Sequence, residues 1–142
     1  MLLYLATKGR EDLGELIFQI ADQINHGIPT LVQPDMQIDI AELNFNAGLR
    51  AIDSSHFEVA QSYLNNALSL LPENHWSIHY QFSLRLFFLK AKAAYLCGDI
   101  EKSQELLKNL LDMGRCLEDI LDAYHLYLTV RDFMIICQGK GH

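Results

Sequence analysis

The feature that most constrains the fold is a set of small residues at fixed spacing between positions 44 and 72. Gly48 is followed twelve residues later by Ala60, and then by Ala67 and Pro72. Small side chains let two helices approach closely, and proline ends a helix because it lacks the backbone N–H that continues the hydrogen-bond ladder. The spacing therefore predicts two antiparallel helices that cross where Gly48 meets Ala60.

A second set of small residues follows farther along the chain. Ser103 lies 43 positions after Ala60, and Gly98 marks the expected turn between its two helices. Both sets resemble the tetratricopeptide repeat, whose unit is about 34 residues long, and the extra length lies mainly in 73–80. The residues predicted to pack the helix pairs are Gly48, Ala60, Leu64, Ala67, Pro72, Ala91, Ala94, Gly98 and Leu107.

Apolar residues recur at helical intervals through almost the whole chain, and no run alternates as a half-buried strand would. The turn residues between them place helices at about 11–26, 38–52, 56–71, 76–97, 100–113 and 117–137. Together with the repeat resemblance, this predicts an all-α fold of antiparallel helix pairs, stacked as a short, irregular tetratricopeptide-like solenoid. We expect a single helical-repeat domain over 1–142 that is part of a longer array.

Composition and charge argue against several classes of partner. The chain has 142 residues, 50% of them hydrophobic, and a net charge of −7 without a cluster of Lys or Arg. An acidic surface repels phosphate backbones and anionic lipid headgroups, so neither nucleic acid nor membrane is expected as a partner. Met1–Ala6 is too short for a signal peptide, and charged residues interrupt the most apolar window, 84–96. We expect a cytoplasmic protein.

The cysteines form no recognisable motif. Cys97, Cys116 and Cys137 are 19 and 21 residues apart, and no Cys-x-x-Cys pair is present. A disulfide framework is typical of smaller, loop-rich secreted chains. We therefore expect three reduced cysteines that are buried in or beside helices.

No sequence motif for catalysis is complete. Gly139-Lys140 resembles the end of a phosphate-binding loop, but Met134 stands where the first glycine belongs. Gly141 also replaces the Ser or Thr that follows the lysine in such a loop. A nucleophile elbow and the kinase catalytic triplets are missing as well. We expect no enzymatic activity, no catalytic residue and no cofactor in this chain.

Two histidines have the spacing of metal ligands but too few companions. His75 and His79 fall on one face of the predicted helix, and Glu73 lies just upstream. A metal site needs three or four ligands, and two His at this spacing are common by chance. The favoured interpretation is that both flank Trp76 near a helix start. His56 is likewise interpreted as a residue at a helix start, because no proline follows it as in a phosphate-accepting histidine motif.

Several short runs resemble one region of large multidomain signalling proteins. They are Ile40–Gly48 with the motif Ala-Glu-Leu-Asn-x-x-Ala-Gly, Ala60–Leu64, Trp76, Tyr80 and Ala91–Asp99. In those proteins a Ser/Thr-kinase-like domain and an AAA-type ATPase precede a helical-repeat region, and a sensor histidine kinase often follows. The resemblance covers about residues 11–130 and implies a segment that connects domains and binds proteins. The nucleotide-binding and phosphotransfer residues of that family belong to other domains and match no position here.

The sequence therefore predicts a non-catalytic segment for protein–protein interaction or signal transmission, whose partner is another protein or the flanking domains of a signalling protein. Three alternatives stay open: a standalone adaptor, a truncated gene product without independent function, and an ATPase or kinase. The missing loops argue against the third. The last predicted helix should leave Leu128, Phe133 and Ile136 partly exposed, which allows self-association through the terminal helices.

Overall fold

Helices account for nearly all of the chain that the structure describes. The structure is a computed structural model, and it describes residues 16–25 and 36–139. Its helices are α1 over 16–25, α2 Gln37–Asp53, α3 Phe57–Ser69, α4 His75–Ile78, α5 Tyr80–Leu96, α6 Ile100–Met113 and α7 Leu117–Gly139. No strand occurs in these two ranges, so the predicted all-α class is confirmed for them. None of these helices is both long and apolar enough to cross a lipid bilayer.

The chain divides into two compact units, Met1–Pro72 and Glu73–His142. The first unit contains α1 to α3 and the second contains α4 to α7. Positions 11–15 of the first predicted helix, and its predicted end and following loop at 26–35, lie outside the described residues. The single domain over 1–142 remains a prediction.

α2 and α3 form an antiparallel hairpin whose interface depends on small residues. The fully buried alanines of this hairpin are Ala41, Ala47, Ala51, Ala60 and Ala67. A Cβ atom built on Gly48 would lie 2.8 Å from the side chain of Leu64 and 3.5 Å from the carbonyl oxygen of Ala60. The absence of a side chain at Gly48 therefore lets the two helices approach at this crossing.

Two polar contacts tie α1 to this hairpin. The side-chain amides of Asn25 and Asn44 bond reciprocally at 2.8 and 3.1 Å, and Asn44 also donates to the carbonyl oxygen of Ile40. Tyr63 donates to a carboxylate oxygen of Asp22 at 2.7 Å. Because Asn44 is fully buried, its bonds replace those that its amide would make with water in the unfolded chain.

α3 ends at Ser69, two residues before the end predicted from the sequence. The backbone N–H groups of Leu70 and Leu71 bond to carbonyl oxygens three positions back, at 3.2 and 3.1 Å, so the last turn is tightened. Leu71 precedes Pro72, and a proline disfavours helical backbone angles at the residue before it. The proline thus ends the helix earlier than its own position suggests.

α5 is the central helix of the second unit. Eleven of its seventeen residues are buried, so it has no single apolar face. α6 packs against α5, and its buried residues are Ser103, Leu106, Leu107 and Leu110. α7 packs mainly on α6, and the buried residues among its described side chains are Ala123 and Val130.

The helical backbone is interrupted between α4 and α5, where the sequence predicts one helix over 76–97. His79 has φ −128° and ψ 52°, which lies outside the helical region. The break lets α4 fold back, so that His75 and Trp76 pack on Phe87 with ring-centroid distances of 5.7 and 5.0 Å. Contacts between aromatic rings favour this bend. The periodic spacing of apolar residues in the sequence does not reveal such contacts.

The α2–α3 hairpin and a second hairpin, formed by α5 and α6, close through the same kind of turn. Ser55 has φ 63° and Gly98 has φ 86°, and each lies two residues after the end of its helix. The N–H of the next residue, His56 or Asp99, bonds to the carbonyl oxygen five positions back, at 2.8 and 2.9 Å. This is the Schellman arrangement, in which a left-handed residue ends a helix. α2 and α5 also share a length of 17 residues, so matching positions lie 43 residues apart.

Candidate interaction surface

In the first unit, the residues predicted to pack the helices lie inside the hairpin. Gly48, Ala60 and Leu64 meet at the crossing of α2 and α3. Ala67 is fully buried on α3, and Pro72 is half-buried in the segment after that helix. These positions stabilise the hairpin, and most of them offer no surface to a partner.

In the second unit, a polar contact occupies the corresponding crossing. The Ser103 hydroxyl donates to the carbonyl oxygen of Ala91 at 2.8 Å. Ala94 and Leu107 are buried as well. Gly98 is exposed, and a Cβ atom there would meet no atom within 4 Å, so its contribution is the left-handed backbone alone. Most of the predicted packing residues therefore lie in the interior, so a surface for partners is sought elsewhere.

A polar joint connects the start of α5 with the start of α7. The Tyr80 hydroxyl donates to Asp119 Oδ2 at 2.6 Å and accepts the backbone N–H of Arg115 at 2.6 Å. The Arg115 guanidinium lies 4.0 Å from the centre of the Tyr80 ring and donates to the carbonyl oxygen of Trp76. Desolvation raises the pKa of Tyr80, and its bond to the Asp119 carboxylate adds to the rise. This joint positions the first turn of α7.

His75 belongs to the packing of α4 on α5. Its Nδ1 lies 2.7 Å from Ser83 Oγ, and its ring stacks on Phe87. Burial lowers the pKa of His75, and the nearby His79 lowers it further. Within 16–25 and 36–139, no three His, Cys, Asp or Glu side chains form a group that could hold a metal ion. His75, His79 and Glu73 accordingly do not form one.

α7 carries a line of apolar side chains on a different side from its buried residues. We call this line the α7 stripe, and it consists of Leu117, Leu121, Tyr124, Leu128 and Ile135. Four of these side chains are 72, 46, 49 and 56% exposed, and Leu128 is half-buried. The stripe residues follow one another at steps of four and three positions, with Arg131 in the step between Leu128 and Ile135. This spacing is typical of helices that pair with another helix.

The charged residues of α7 are unevenly distributed along the helix. Glu118, Asp119 and Asp122 lie in the first two turns, whereas Arg131 and Asp132 lie nearer the other end. The Arg131 guanidinium is 3.5 Å from the Asp132 carboxylate, and both side chains are exposed. An exposed pair at this distance contributes little to stability, so the guanidinium can reorient towards a partner.

An open groove runs along another side of α7, between this helix and α5. Its volume is about 260 Å³, and its lining residues are Gln81, Leu84, Arg85, Phe88, Leu110, Glu118, Asp119, Asp122 and Ala123. Small-molecule sites usually enclose most of the ligand and place a few polar groups around it. This groove combines an apolar floor with acidic walls and has no nucleophile beside a histidine base, so it offers surface contacts rather than an arrangement for catalysis.

Cys97, Cys116 and Cys137 are exposed, which corrects the prediction that they are buried. Cys97 directly follows α5, and Cys116 directly precedes α7. Cys137 lies in the last turn of α7. Residues at the ends of helices are covered less completely by neighbouring turns than residues in the middle. Apolar composition alone does not show whether a cysteine lies at an end or in the middle of a helix.

The α7 stripe is the main surface feature that sequence reasoning missed as a set. The sequence predicts partial exposure of Leu128, Phe133 and Ile136. In the structure Leu128 is half-buried, and Phe133 and Ile136 are 42 and 64% exposed. The spacing from Leu117 onwards was a readable signal for the stripe. In contrast, Arg131 and the Arg115 contact with Tyr80 match no sequence motif.

The chain is similar to a short part of a very long signalling protein. Over 113 residues it is 29% identical to a protein described as hybrid signal transduction histidine kinase G, from Dictyostelium discoideum. The similar part is 73% of this chain and 3% of that protein, so the chain spans only a small fraction of this relative. No family model matches the chain, and no solved structure matches it. The similarity indicates a segment of a signalling protein.

Proposed function

We propose that this chain is a non-catalytic helical segment through which a larger signalling protein makes protein–protein contacts. The α7 stripe is the observation that carries the proposal, because it exposes apolar side chains at regular spacing along a helix of 23 residues. Single exposed apolar residues are common, but a contiguous line of them marks an interaction site. The similarity to part of a signal transduction histidine kinase supports the signalling context.

The proposal includes a tetratricopeptide-like arrangement of the helix pairs, and it places the protein in the cytoplasm. The repeated hairpin supports the arrangement of the helix pairs, because Ser55 and Gly98 take the same place in the turn, 43 residues apart. Arrays of helical repeats are built from one hairpin that recurs with a fixed turn and a fixed crossing. The longer period comes from the segment 73–79, which contains the short helix α4.

The non-catalytic part of the proposal is supported by the course of the backbone before Gly139. Positions 134–139 are helical, whereas a phosphate-binding loop needs irregular backbone whose N–H groups point at the phosphates. Lys140 itself lies outside the described residues. Calorimetric titration with Mg-ATP should give no saturable heat. Saturable binding that Lys140→Ala abolishes would contradict the proposal.

A photo-crosslinking residue tests the interaction role directly. Benzoylphenylalanine in place of Tyr124, in the middle of the stripe, should crosslink the full chain to another protein molecule in the cells that express it. The matched control places the same residue at Thr129, which is exposed on another side of α7. Leu121→Glu should remove the crosslink at position 124 while circular dichroism remains helical. Equal crosslinking at both positions, or none at 124, would refute the proposal.

A further inference from the structure

We infer that α7 is a detachable helix, which leaves the second unit as a whole while α5 and α6 stay paired. The polar joint at Tyr80 sets how often this happens. The movement does not depend on what binds the α7 stripe. It follows from the small number of buried side chains on α7 and from the position of the joint at one end of this helix.

α7 is held in place by little buried apolar surface. Among the side chains described in 117–137, the buried ones are Ala123 and Val130, and the other apolar residues are half-buried or exposed. In contrast, eleven of the seventeen residues of α5 are buried. The free energy that holds a helix in place grows with the apolar area that it removes from water. α7 is therefore the least firmly held of α5, α6 and α7.

The contact between α5 and α6 does not need α7. It contains the hydrogen bond from the Ser103 hydroxyl to the carbonyl oxygen of Ala91 and the buried side chain of Leu107. α7 packs mainly on α6, and the segment 114–116 connects the two helices. Gly114 has extended backbone in this segment, with φ −64° and ψ 137°. A short non-helical connection lets α7 move while α6 keeps its place.

The polar joint fastens α7 at this connection. The Tyr80 hydroxyl accepts the N–H of Arg115 in the connecting segment and donates to Asp119 in the first turns of α7, both at 2.6 Å. Near the other end, the ring of Phe133 contacts Tyr95 edge-on, but Phe133 is 42% exposed. A hydrogen bond to a carboxylate is stronger than one between neutral groups. The start of α7 is therefore its main attachment.

Release of α7 would change the surface of the second unit. Leu84 on α5 and Leu110 on α6 are buried, and both line the groove beside α7. They would be uncovered together with the inner side of α7, which contains Ala123 and Val130. A partner that binds one of the two states more tightly shifts the chain towards that state. The detachable helix thus gives the segment a conformational change that binding can control.

Hydrogen exchange of the full chain, measured by mass spectrometry at several low urea concentrations, tests the detachment. Helices in proteins owe most of their stability to packing, so a released α7 frays and its amides exchange. After correction for intrinsic rates, amides in 121–137 should exchange faster than those in 84–96. Their exchange should also depend less on urea, because a partial opening exposes less surface than global unfolding. The same opening free energy and urea dependence in both ranges would overturn the inference.

Two substitutions distinguish detachment from global unfolding. Tyr80→Phe removes bonds that only the docked α7 makes, so the amides of α7 should exchange about fivefold to tenfold faster. Its control, Tyr95→Phe, should keep the parent rate. Ser103→Ala removes a bond between α5 and α6 that persists when α7 is released. The amides of α5 and α6 should then exchange faster, whereas those of α7 should keep the parent rate.

Each result decides one part of the inference. If Ser103→Ala speeds exchange equally in all three helices, α7 opens only with the rest of the unit and the detachment is refuted. If Tyr80→Phe and Tyr95→Phe affect α7 equally, the joint is not its main attachment. Neither result contradicts the proposed function, because a permanently docked α7 still exposes the stripe for crosslinking at position 124.

Discussion

Ser55 and Gly98 occupy the same left-handed position in two matching turns, although only one of them is a glycine. At φ 63° the Cβ atom of Ser55 crowds the backbone, which costs about 1–2 kcal/mol for a residue with a side chain. Gly98 at φ 86° avoids this cost. The first hairpin therefore carries a strain that the second does not.

Replacing these two residues should have opposite effects on stability. Ser55→Gly should raise the free energy of unfolding by about 0.5–1 kcal/mol, and Gly98→Ala should lower it by about 1 kcal/mol. Urea denaturation measures both changes. Ser54→Gly is the matched control, because Ser54 has an ordinary φ of −91° and should gain nothing from glycine. A Ser55→Gly variant less stable than the parent would show that the serine favours this turn.

The crossing of α2 and α3 should not tolerate a larger side chain at Ala60. This residue is fully buried opposite Gly48, so Ala60→Leu should lower the free energy of unfolding by about 1–3 kcal/mol through overpacking. Val59→Leu is the control, since Val59 is exposed on the same helix. Chemical denaturation compares the two variants. Equal stabilities would place Ala60 outside the crossing.

Lys90 should make stability depend on pH at alkaline values. It is 8% exposed, and burial lowers its pKa from 10.5 to about 8, with a smaller contribution from Lys102. Between pH 8 and 10 the unfolded chain binds more protons than the folded chain, so stability should rise with pH in this window. Below pH 8 the amine is charged in both states, and the cost of burying the charge is fully present.

Urea midpoints measured at pH 7, 8, 9 and 10 test this dependence. Lys90→Met should remove the rise between pH 8 and 10, because no amine remains to lose its proton. Lys92→Met, an exposed lysine on the same helix, should keep the rise. Above pH 10 the raised pKa of Tyr80 acts in the opposite direction, since the folded chain then resists ionisation of the phenol. An identical pH profile in the parent and in Lys90→Met would contradict the prediction.

Removal of the Tyr80 hydroxyl should loosen the start of α7. Tyr80→Phe loses the bond to Asp119 and leaves the backbone N–H of Arg115 without its acceptor. We expect the midpoint of thermal unfolding to fall by about 2–4 °C. Tyr95→Phe serves as the control, because the ring of Tyr95 packs edge-on against Phe133 and should keep that contact without its hydroxyl. Equal shifts of the unfolding midpoint in the two variants would show that the Tyr80 hydroxyl contributes no more to stability than that of Tyr95.

The all-α class and the helix crossings could be predicted because they depend on residues close in sequence. Gly48 and Ala60 are twelve residues apart, and the turn between their helices is short enough to fix which residues meet. Ser103 is likewise a small residue at a helix crossing, twelve residues after Ala91. Its hydroxyl adds a hydrogen bond to the carbonyl oxygen of Ala91 there. Local spacing contains this information, so inspection of the sequence recovers it.

The break at His79 and the polar joint at the start of α7 could not be predicted in this way. Tyr80 and Arg115 are 35 residues apart, and their contact exists only because the intervening helices bring them together. The bend of α4 onto Phe87 likewise depends on ring contacts that a helical period does not encode. The α7 stripe is an intermediate case, since its spacing is local but its exposure depends on where α6 lies.

The reciprocal bonds between Asn25 and Asn44 imply that these two positions are not independent in evolution. A change at Asn25 alone would leave the buried amide of Asn44 with an unmet donor or acceptor, at a cost of about 1–3 kcal/mol. Replacement of both by apolar residues of similar shape would avoid that cost. Related chains should therefore differ at both positions together or at neither, and a pair that varies separately would mean that α1 meets α2 differently there.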